Sequence, residues 1–205
     1  MKRFRTAKRR LAPGIDDARR EALAEAMLED VLEAIDGARS VEQTIVVTGD
    51  AVAGEIASQA GAEVVPDPDN EGHVGAALAG IARAEADGAA CVVLLPGDCP
   101  LLDPRELDRL LTGVPAQYVA IVPDRHGTGT NALVLAPPGA IRPAFGEGSC
   151  ARHLAAAREA GIPFAVEEPA SLALDLDTPA DIVALTRELE ERPGRAGRTA
   201  KALGL

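Results

Sequence analysis

Short runs of β-branched residues alternate with longer amphipathic segments along the first half of the chain. This alternation predicts βα units, which build a largely parallel sheet with helices on both faces. The first helix is predicted to begin after Asp16, whose side chain can cap it, and to end near Asp36. Apolar residues recur in it at spacings of four, which is typical of a helix with one buried face: Leu23, Met27, Val31 and Ile35.

The remaining elements follow from the same patterns. Strands are predicted over residues 44–48, 63–65, 89–95, 118–122, 131–135, 164–166 and 171–176. Helices are predicted over residues 51–60, 73–86, 103–111, 149–160 and 178–191. Because two strands in the second half follow each other without a helix, we expect a mixed, mostly parallel sheet of the Rossmann-like α/β class. We predict one domain over residues 1–191 and a basic, solvated C-terminal tail over residues 192–205.

Composition excludes several classes of function. The chain carries 32 acidic and 21 basic residues, a net charge of −11, and only 2% aromatic residues. A net negative charge disfavours binding to the phosphate backbone of a nucleic acid, and the scarcity of aromatic rings leaves few platforms for base stacking. No apolar run approaches the length of about 20 residues that a membrane span needs. Three cysteines without a CxxC pair are typical of a reducing compartment, so we expect a cytoplasmic protein.

Acidic residues follow two apolar segments at positions that suit a metal ion. Asp98 ends the most apolar predicted strand, at the sheet edge where open α/β folds bind ligands. Asp175 and Asp177 alternate along another predicted strand and so share one side of it. Because carboxylate oxygens suit Mg²⁺, we predict that the three carboxylates form a magnesium site. For Asp177 alone, the alternative is an N-cap of the following helix, and this alternative stays open.

Two glycine-bearing loops and the basic N-terminus complete the candidate site. Residues 124–130 and 145–150 contain glycines that let backbone N–H groups approach an anion, and Ser149 begins a predicted helix. These loops predict a binding site for a phosphate group that also contacts the metal ion. Lys2, Lys8 and Arg10 can neutralise a triphosphate, although a loose basic arm is the alternative. Neither His126 nor His153 receives a role from the sequence; His153 could cap, pack or contact a ligand.

Taken in order along the chain, these motifs resemble those of the CofC/FbiD family of guanylyltransferases, which supply the activated phospho-acid of the deazaflavin coenzyme F-420. The motifs that carry the resemblance are KRFRTAKRRLA from Lys2, PGDCPLL from Pro96, DRHGTGTN from Asp124, FGEGSCARH from Phe145 and DLDTP from Asp175. The resemblance implies a MobA-like nucleotidyltransferase fold. It also implies transfer of GMP from GTP to phosphoenolpyruvate or 2-phospho-L-lactate, with release of diphosphate and with Mg²⁺ as cofactor.

The resemblance also implies a role for each matching residue. Those roles are Mg²⁺ binding by Asp98, Asp175 and Asp177, acceptor binding by Thr130, Gly146 and Ser149, contact with the GTP phosphates by Lys2, Lys8 and Arg10, and catalysis by Lys8 and Asp98. Two features depart from the family. Members usually have an apolar strand before the first lysine, so we expect the reading frame to extend upstream by about eight apolar residues. Many also carry Leu-Asn where this chain has Val74-Gly75.

Other functions fit part of the pattern. A molybdopterin-type nucleotidyltransferase would share fold and metal but not the acceptor loops, and a relative of the glycosyltransferases would bind a nucleotide sugar. A non-catalytic nucleotide-binding module is an alternative of another class, against which the three acidic positions argue. The chain has only three lysines beside 18 arginines, which suggests a GC-rich bacterial genome and favours phosphoenolpyruvate as acceptor. The sequence leaves a homodimer open.

Overall fold

The computed structural model of the chain describes residues 4, 11, 16–67, 69, 71–191 and 194–205. Its strands are β1 (Ile45–Thr48), β2 (Glu63–Pro66), β3 (Val92–Leu94), β4 (Tyr118–Pro123), β5 (Thr130–Ala136) and β6 (Phe164–Val166). Its helices are α1 (Asp17–Asp36), α2 (Ala51–Gln59), α3 (Gly72–Ala86), α4 (Pro104–Leu111), α5 (Ser149–Glu159), α6 (Pro179–Glu191) and α7 (Gly197–Leu203). None of these helices is both long and apolar enough to cross a membrane.

The strands of the described residues form two hydrogen-bonded sheets, one of two strands and one of four. Strands β1 and β2 pair in parallel, and the other four lie in the order β3-β5-β4-β6. Strand β5 is antiparallel to β3 and to β4, whereas β6 is parallel to β4. The expected mixed α/β fold is confirmed, with parallel and antiparallel pairings equal in number in this part of the chain. A short loop joins β4 to β5, and such a loop can connect only antiparallel neighbours.

Helices cover both faces of the four-stranded sheet, and alternate side chains of β5 pack against the helices on each face. Ala132 belongs to a buried cluster that includes residues of α1 and α4. Leu133 and Leu135 belong to another cluster on the opposite face, with Ile81 of α3 and Ala157 of α5. Because successive side chains of a strand point to opposite faces, one strand contributes to both layers. A third cluster joins α1 and α2 to β1, α6 and α7.

The long helix α1 forms as the sequence predicts. The Asp16 side chain accepts a hydrogen bond from the Arg19 backbone N–H at 2.8 Å. Leu23, Met27 and Val31 are buried on the face that the spacing of four predicts. The cap and the apolar face therefore suffice to define this element from local sequence.

The C-terminal residues differ from the expected solvated tail. Residues 194–205 include α7, which packs on α1, and the Thr199 side chain is fully buried. The Asp30 carboxylate of α1 accepts hydrogen bonds from the backbone N–H groups of Arg198 at 3.2 Å and Thr199 at 2.8 Å. Arg198 also pairs with acidic side chains of α1, and Arg195 pairs with Asp103 at the start of α4, partners that a local view of the sequence does not show.

The segment after β6 also differs from its prediction. Residues 171–176 are not a strand: Ala170–Leu172 form a short 3-10 helix, and the residues that follow are irregular. The predicted alternation of burial nevertheless holds, because Leu174 and Leu176 are buried whereas Asp175 and Asp177 are half-buried. The two carboxyl groups therefore share a side without belonging to a sheet.

Candidate functional site

One edge of the four-stranded sheet collects the loops that carry the predicted site residues. Since β3 and β4 are both antiparallel to β5, their C-terminal ends lie beside the N-terminal end of β5. We call this the site edge. It is formed by residues 95–99, 124–130, 144–149 and 173–178. Open α/β sheets bind ligands at such an edge, as the sequence predicted for Asp98.

Backbone and side-chain hydrogen bonds bring the acidic segments together at the site edge. The Leu176 N–H donates to the carbonyl oxygen of Asp98 at 3.1 Å. The Asn131 side-chain amide donates to the Asp175 carboxylate at 3.3 Å and to the Leu172 carbonyl at 2.8 Å. Asn131 is 6% exposed and lies in β5, so it fixes the acidic segment against the sheet. No local pattern of the sequence indicates this role for Asn131.

The Asp175 carboxyl shows the electrostatic state of this cluster. Burial raises its pKa above the ordinary value, and the negative charges of Asp98 and, more weakly, Asp177 raise it further. Within the described ranges, no group of three or more acidic, histidine or cysteine side chains is close enough to hold a metal ion. The donor set nevertheless fits a hard divalent cation, because the carboxyl groups are all-oxygen ligands whose mutual repulsion a cation would remove.

The helix after the acidic segment is capped by Asp181, for which no role was predicted. The Asp181 carboxylate accepts hydrogen bonds from the N–H groups of Asp177 at 2.9 Å and Thr178 at 2.6 Å, and from the Thr178 hydroxyl at 2.8 Å. The N-cap role considered for Asp177 therefore belongs to the Thr178–Asp181 pair. An acidic residue three positions after a threonine is the sequence signal of such a capping box.

The loop between β4 and β5 is held by its own aspartate and by the acidic segment. The Asp124 carboxylate accepts from the N–H groups of His126 at 3.1 Å and Thr128 at 2.9 Å. The Arg125 N–H donates to the Ala173 carbonyl at 2.9 Å. The Arg125 guanidinium also forms an ion pair with Asp181. The loop is thus positioned by its neighbours rather than by its glycines alone.

The predicted acceptor-phosphate residues lie together. The Ser149 hydroxyl is 3.0 Å from the Thr130 hydroxyl, and the Ser149 N–H donates to the Gly146 carbonyl at 3.0 Å. Gly146 has φ of +113° and Gly148, at the N-terminus of α5, has φ of +71°. These are conformations that favour glycine, and they turn the chain sharply before the helix.

His153 joins this group, although the sequence assigned it no role. Its side chain is fully buried, with Nδ1 3.0 Å from the Thr130 hydroxyl oxygen. Its Nε2 accepts a hydrogen bond from the Ala144 N–H at 2.8 Å. Burial, with a smaller contribution from the charge of Arg152, lowers the pKa of the imidazole to about 4. The spacing of four between Ser149 and His153 places both on one face of α5, and this is the sequence signal that they share a neighbour, Thr130.

The predicted contacts of the N-terminal cations cannot be compared with the structure, because Lys2, Lys8 and Arg10 lie outside the described residues. Phe4 is described and is buried. Its N–H donates to the Asp50 carboxylate at 3.0 Å, at the start of α2. The roles expected for the three cations stay predictions.

Comparisons with known proteins place the chain in a family. A family described as "Guanylyl transferase CofC like" matches residues 1–191. The chain belongs to this family. A phosphoenolpyruvate guanylyltransferase of Conexibacter woesei is 46% identical over 202 residues, which cover 97% of this chain and 90% of the relative. A 3-phospho-D-glycerate guanylyltransferase of Phenylobacterium zucineum is 39% identical over 184 residues, which cover 88% of this chain and 84% of the relative.

A solved structure confirms the fold of this CofC-like chain. A protein of Desulfovibrio desulfuricans assigned to the nucleotide-diphospho-sugar transferases superposes with a TM-score of 0.74 and 17% identity. The match covers 97% of this chain and 87% of that protein. The MobA-like nucleotidyltransferase fold that the resemblance implied is thereby confirmed.

Proposed function

We propose that this CofC-like protein transfers GMP from GTP to the phosphate of a small phospho-acid in the biosynthesis of coenzyme F-420, with phosphoenolpyruvate as the acceptor and 2-phospho-L-lactate as the alternative. The observation that carries the proposal is the site edge itself. There, a pair of hydroxyl groups, Thr130 and Ser149, lies at the same edge of the sheet as the acidic segments of Asp98 and Asp175. Hydroxyl donors suit a phosphate, and carboxylates suit the cation that accompanies a triphosphate.

The acceptor is the least constrained part of the proposal. The relative from Conexibacter woesei is named for phosphoenolpyruvate, whereas that from Phenylobacterium zucineum is named for 3-phospho-D-glycerate. These acceptors share a phosphate and a carboxylate on a three-carbon chain. Because the first relative is the more similar of the two, phosphoenolpyruvate is the acceptor that we propose for this chain.

Mg²⁺ is the cofactor of the proposed reaction. Asp98, Asp175 and Asp177 would hold it. The negative charges of Asp98 and Asp177 raise the pKa of Asp175, and a cation at this position would offset those charges. When bound, Mg²⁺ would supply charge neutralisation at the reacting phosphates. Lys2, Lys8 and Arg10 would add positive charge at the GTP phosphates, with Lys8 and Asp98 as the catalytic pair.

The reaction depends mainly on the positioning of GTP and the acceptor. An oxygen of the acceptor phosphate attacks the α-phosphorus of GTP in line, the bond between the α-phosphorus and the bridging oxygen breaks, and diphosphate leaves. The attacking oxygen is already anionic at neutral pH, so no general base is needed. Thr130, Ser149 and the backbone at Gly146 would orient the acceptor phosphate, and this orientation supplies much of the rate.

Diphosphate release tests the proposal. The full-length protein is incubated with GTP, Mg²⁺ and, separately, phosphoenolpyruvate, 2-phospho-L-lactate or 3-phospho-D-glycerate, and kcat/KM is compared. We expect the largest value for phosphoenolpyruvate. Asp98→Asn should lower kcat/KM by about 10²-fold or more, because it removes charge from the cation site. The matched control is Asp17→Asn, which changes an exposed carboxylate of α1 and should leave activity unchanged.

The other outcomes can be told apart. Turnover with CTP in place of GTP would favour a cytidylyltransferase. Nucleotide binding without turnover of any acceptor would favour the non-catalytic module and would overturn the proposal. Full activity of Asp98→Asn would remove Asp98 from the site while leaving the guanylyltransferase assignment intact.

We also propose a cytoplasmic location. The cysteines Cys91, Cys99 and Cys150 are all free thiols, and two of them are buried. Free buried thiols suit a reducing compartment. Fractionation of the native cells tests this location.

A further inference from the structure

Three polar side chains are linked by hydrogen bonds next to the site edge. The half-buried Thr130 hydroxyl contacts the buried imidazole of His153 on one side and the buried Ser149 hydroxyl on the other. We propose that His153 is a positioning residue, whose fixed tautomer leaves one hydroxyl proton of the Thr130–Ser149 pair to donate to the acceptor phosphate. The inference rests on the proposed function, since it assigns to this pair the phosphate of that acceptor.

The backbone determines the tautomer of the imidazole. The Ala144 N–H can only donate, so Nε2 of His153, at 2.8 Å, must accept and carries no proton. In a neutral imidazole the proton then resides on Nδ1. Nδ1 lies 3.0 Å from the Thr130 hydroxyl oxygen, and His153 therefore donates this hydrogen bond rather than accepting it.

The number of protons on these three groups determines what the hydroxyl pair can offer to a ligand. The imidazole Nδ1–H, the Thr130 O–H and the Ser149 O–H supply three protons, whereas the two contacts between these groups use two. One hydroxyl proton is left over, on Thr130 if Ser149 donates to it, or on Ser149 if the direction is reversed. In the opposite tautomer, Thr130 would donate to the imidazole and Ser149 to Thr130, and the pair would offer a ligand only lone pairs.

The tautomer of His153 therefore determines how the Thr130–Ser149 hydroxyl pair interacts with an anion. A hydroxyl that donates to a phosphate oxygen forms a charge-assisted hydrogen bond, whereas a hydroxyl that presents lone pairs repels it. The peptide N–H of Ala144 thus selects, through His153, whether the site edge attracts or repels a phosphate.

The surroundings of His153 hold this arrangement in place. The Phe145 ring packs edge-on against the imidazole with centroids 5.3 Å apart. The Arg152 guanidinium donates from Nη2 to the Ala144 carbonyl at 2.8 Å, which fixes the turn that carries the selecting N–H. The His153 side chain is fully buried, so water does not compete for its nitrogens. A rotation of the ring would break both of its hydrogen bonds.

The tautomer can be observed directly by ¹⁵N NMR of the histidine rings in the full-length protein at neutral pH. The His73→Gln and His126→Gln variants assign the signals, because the chain has only three histidines. We expect the His153 ring to be neutral with its proton on Nδ1. A ring protonated on Nε2, or on both nitrogens, would overturn the proposal. This measurement does not depend on activity, so failure of the proposed guanylyl transfer would be seen separately.

Two substitutions test the link to phosphate, with inorganic phosphate as the binding probe and phosphoenolpyruvate as the substrate. His153→Asn places an amide nitrogen near the position of Nδ1 and can still donate to Thr130, whereas His153→Leu cannot. We expect His153→Leu to weaken phosphate affinity and raise the acceptor KM by about tenfold, with the GTP KM unchanged, and His153→Asn to stay within about threefold of the wild type.

A control separates positioning from mere loss of stability. Leu154 lies on the same helix and packs against the core cluster on that face with an apolar side chain that cannot form a hydrogen bond to the hydroxyl pair, so Leu154→Ala is the control. It should lower Tm without changing the acceptor KM. An equal effect of His153→Leu on the GTP and acceptor KM values, or no difference between His153→Leu and His153→Asn, would overturn the proposal. If His153→Leu does not fold, the tautomer and the KM values of His153→Asn decide.

Discussion

At the scale of the residue, the ionised Asp175 carboxylate at the site edge lowers the free energy of unfolding. Burial and the neighbouring charge of Asp98 raise the pKa of its carboxyl above the ordinary value of an aspartate. A carboxyl whose pKa is raised on folding favours the folded state below its unfolded pKa. That contribution is lost as the pH rises through the folded pKa. At neutral pH and without a cation, the ionised Asp175 therefore destabilises the fold.

Asp175→Asn should accordingly stabilise the metal-free protein while abolishing activity. The amide keeps an oxygen that can accept from Asn131 but removes the charge. We expect the free energy of unfolding at neutral pH to rise by about 1 kcal/mol, or Tm by about 2–4 °C, and the gain to vanish near pH ~4. Thermal melts in EDTA measure it. With Mg²⁺ present the order should reverse, and a variant less stable than the wild type in EDTA would contradict the explanation.

At the scale of the element, two helices begin on carboxylates that a local view of the sequence passes over. Helix α6 is capped by Asp181 from its own first turn. Helix α7 is capped from outside, by Asp30 of α1, which is 7% exposed and lies 169 positions from Thr199. A helix as short as α7 is marginal alone, so this cap and its packing on α1 account for its formation.

Removing this external cap should release α7. Asp30→Ala leaves two backbone N–H groups without their acceptor. We expect it to lower the free energy of unfolding by about 2 kcal/mol, while Asp30→Asn, which keeps an acceptor oxygen, costs about 1 kcal/mol or less. Urea titration measures both values, and hydrogen exchange reports on α7.

Glu29→Ala is the matched control for the Asp30 variants. It removes an exposed partner of Arg198 at 3.3 Å and should cost less than about 0.5 kcal/mol. A comparable loss in Glu29→Ala and Asp30→Ala would show that general charge on α1, rather than the cap, holds the segment.

At the scale of the whole molecule, Asn131 connects the sheet to the segment that returns from β6. Its amide reaches the carbonyls of Leu172 and Ala173 and the Asp175 carboxylate, which lie 41 to 44 positions away. The acidic segment is irregular and has no ladder of its own, so these bonds replace those of the strand that the sequence predicted. The position of the Asp175 carboxylate thus depends on a residue near the N-terminal end of the inner strand β5.

Asn131→Ala should therefore affect both stability and the response to metal. The variant removes the side-chain donor to the buried Leu172 carbonyl and to the Asp175 carboxylate. We expect the free energy of unfolding to fall by about 2–3 kcal/mol, and the Mg²⁺ concentration for half-maximal activity to rise by about tenfold or more. Gln43→Ala, which removes an exposed amide bonded to Glu63 at 2.9 Å, is the control. A stability loss without any change in the Mg²⁺ response would limit Asn131 to a structural role.

The elements that the sequence predicted well are those defined by neighbouring residues. The cap at Asp16 and the apolar spacing of four located α1, and the glycine-rich junctions located the loops of the site edge. The residues that were missed act across the fold. Asn131, His153 and Asp30 all bond to partners between 9 and 169 positions away, and their residue types alone are compatible with many roles.

By itself, the sequence determined the alternation of strands and helices, the residue types at the site edge and the family, because these depend on local pattern and motif order. Only the tertiary structure decided which hydrogen bonds hold those residues: the Asn131 amide on the acidic segment, the Ala144 N–H on His153 and the Asp30 carboxylate under α7. The physical reason is that a buried polar group must find a partner wherever the fold places one, and sequence distance does not limit that choice.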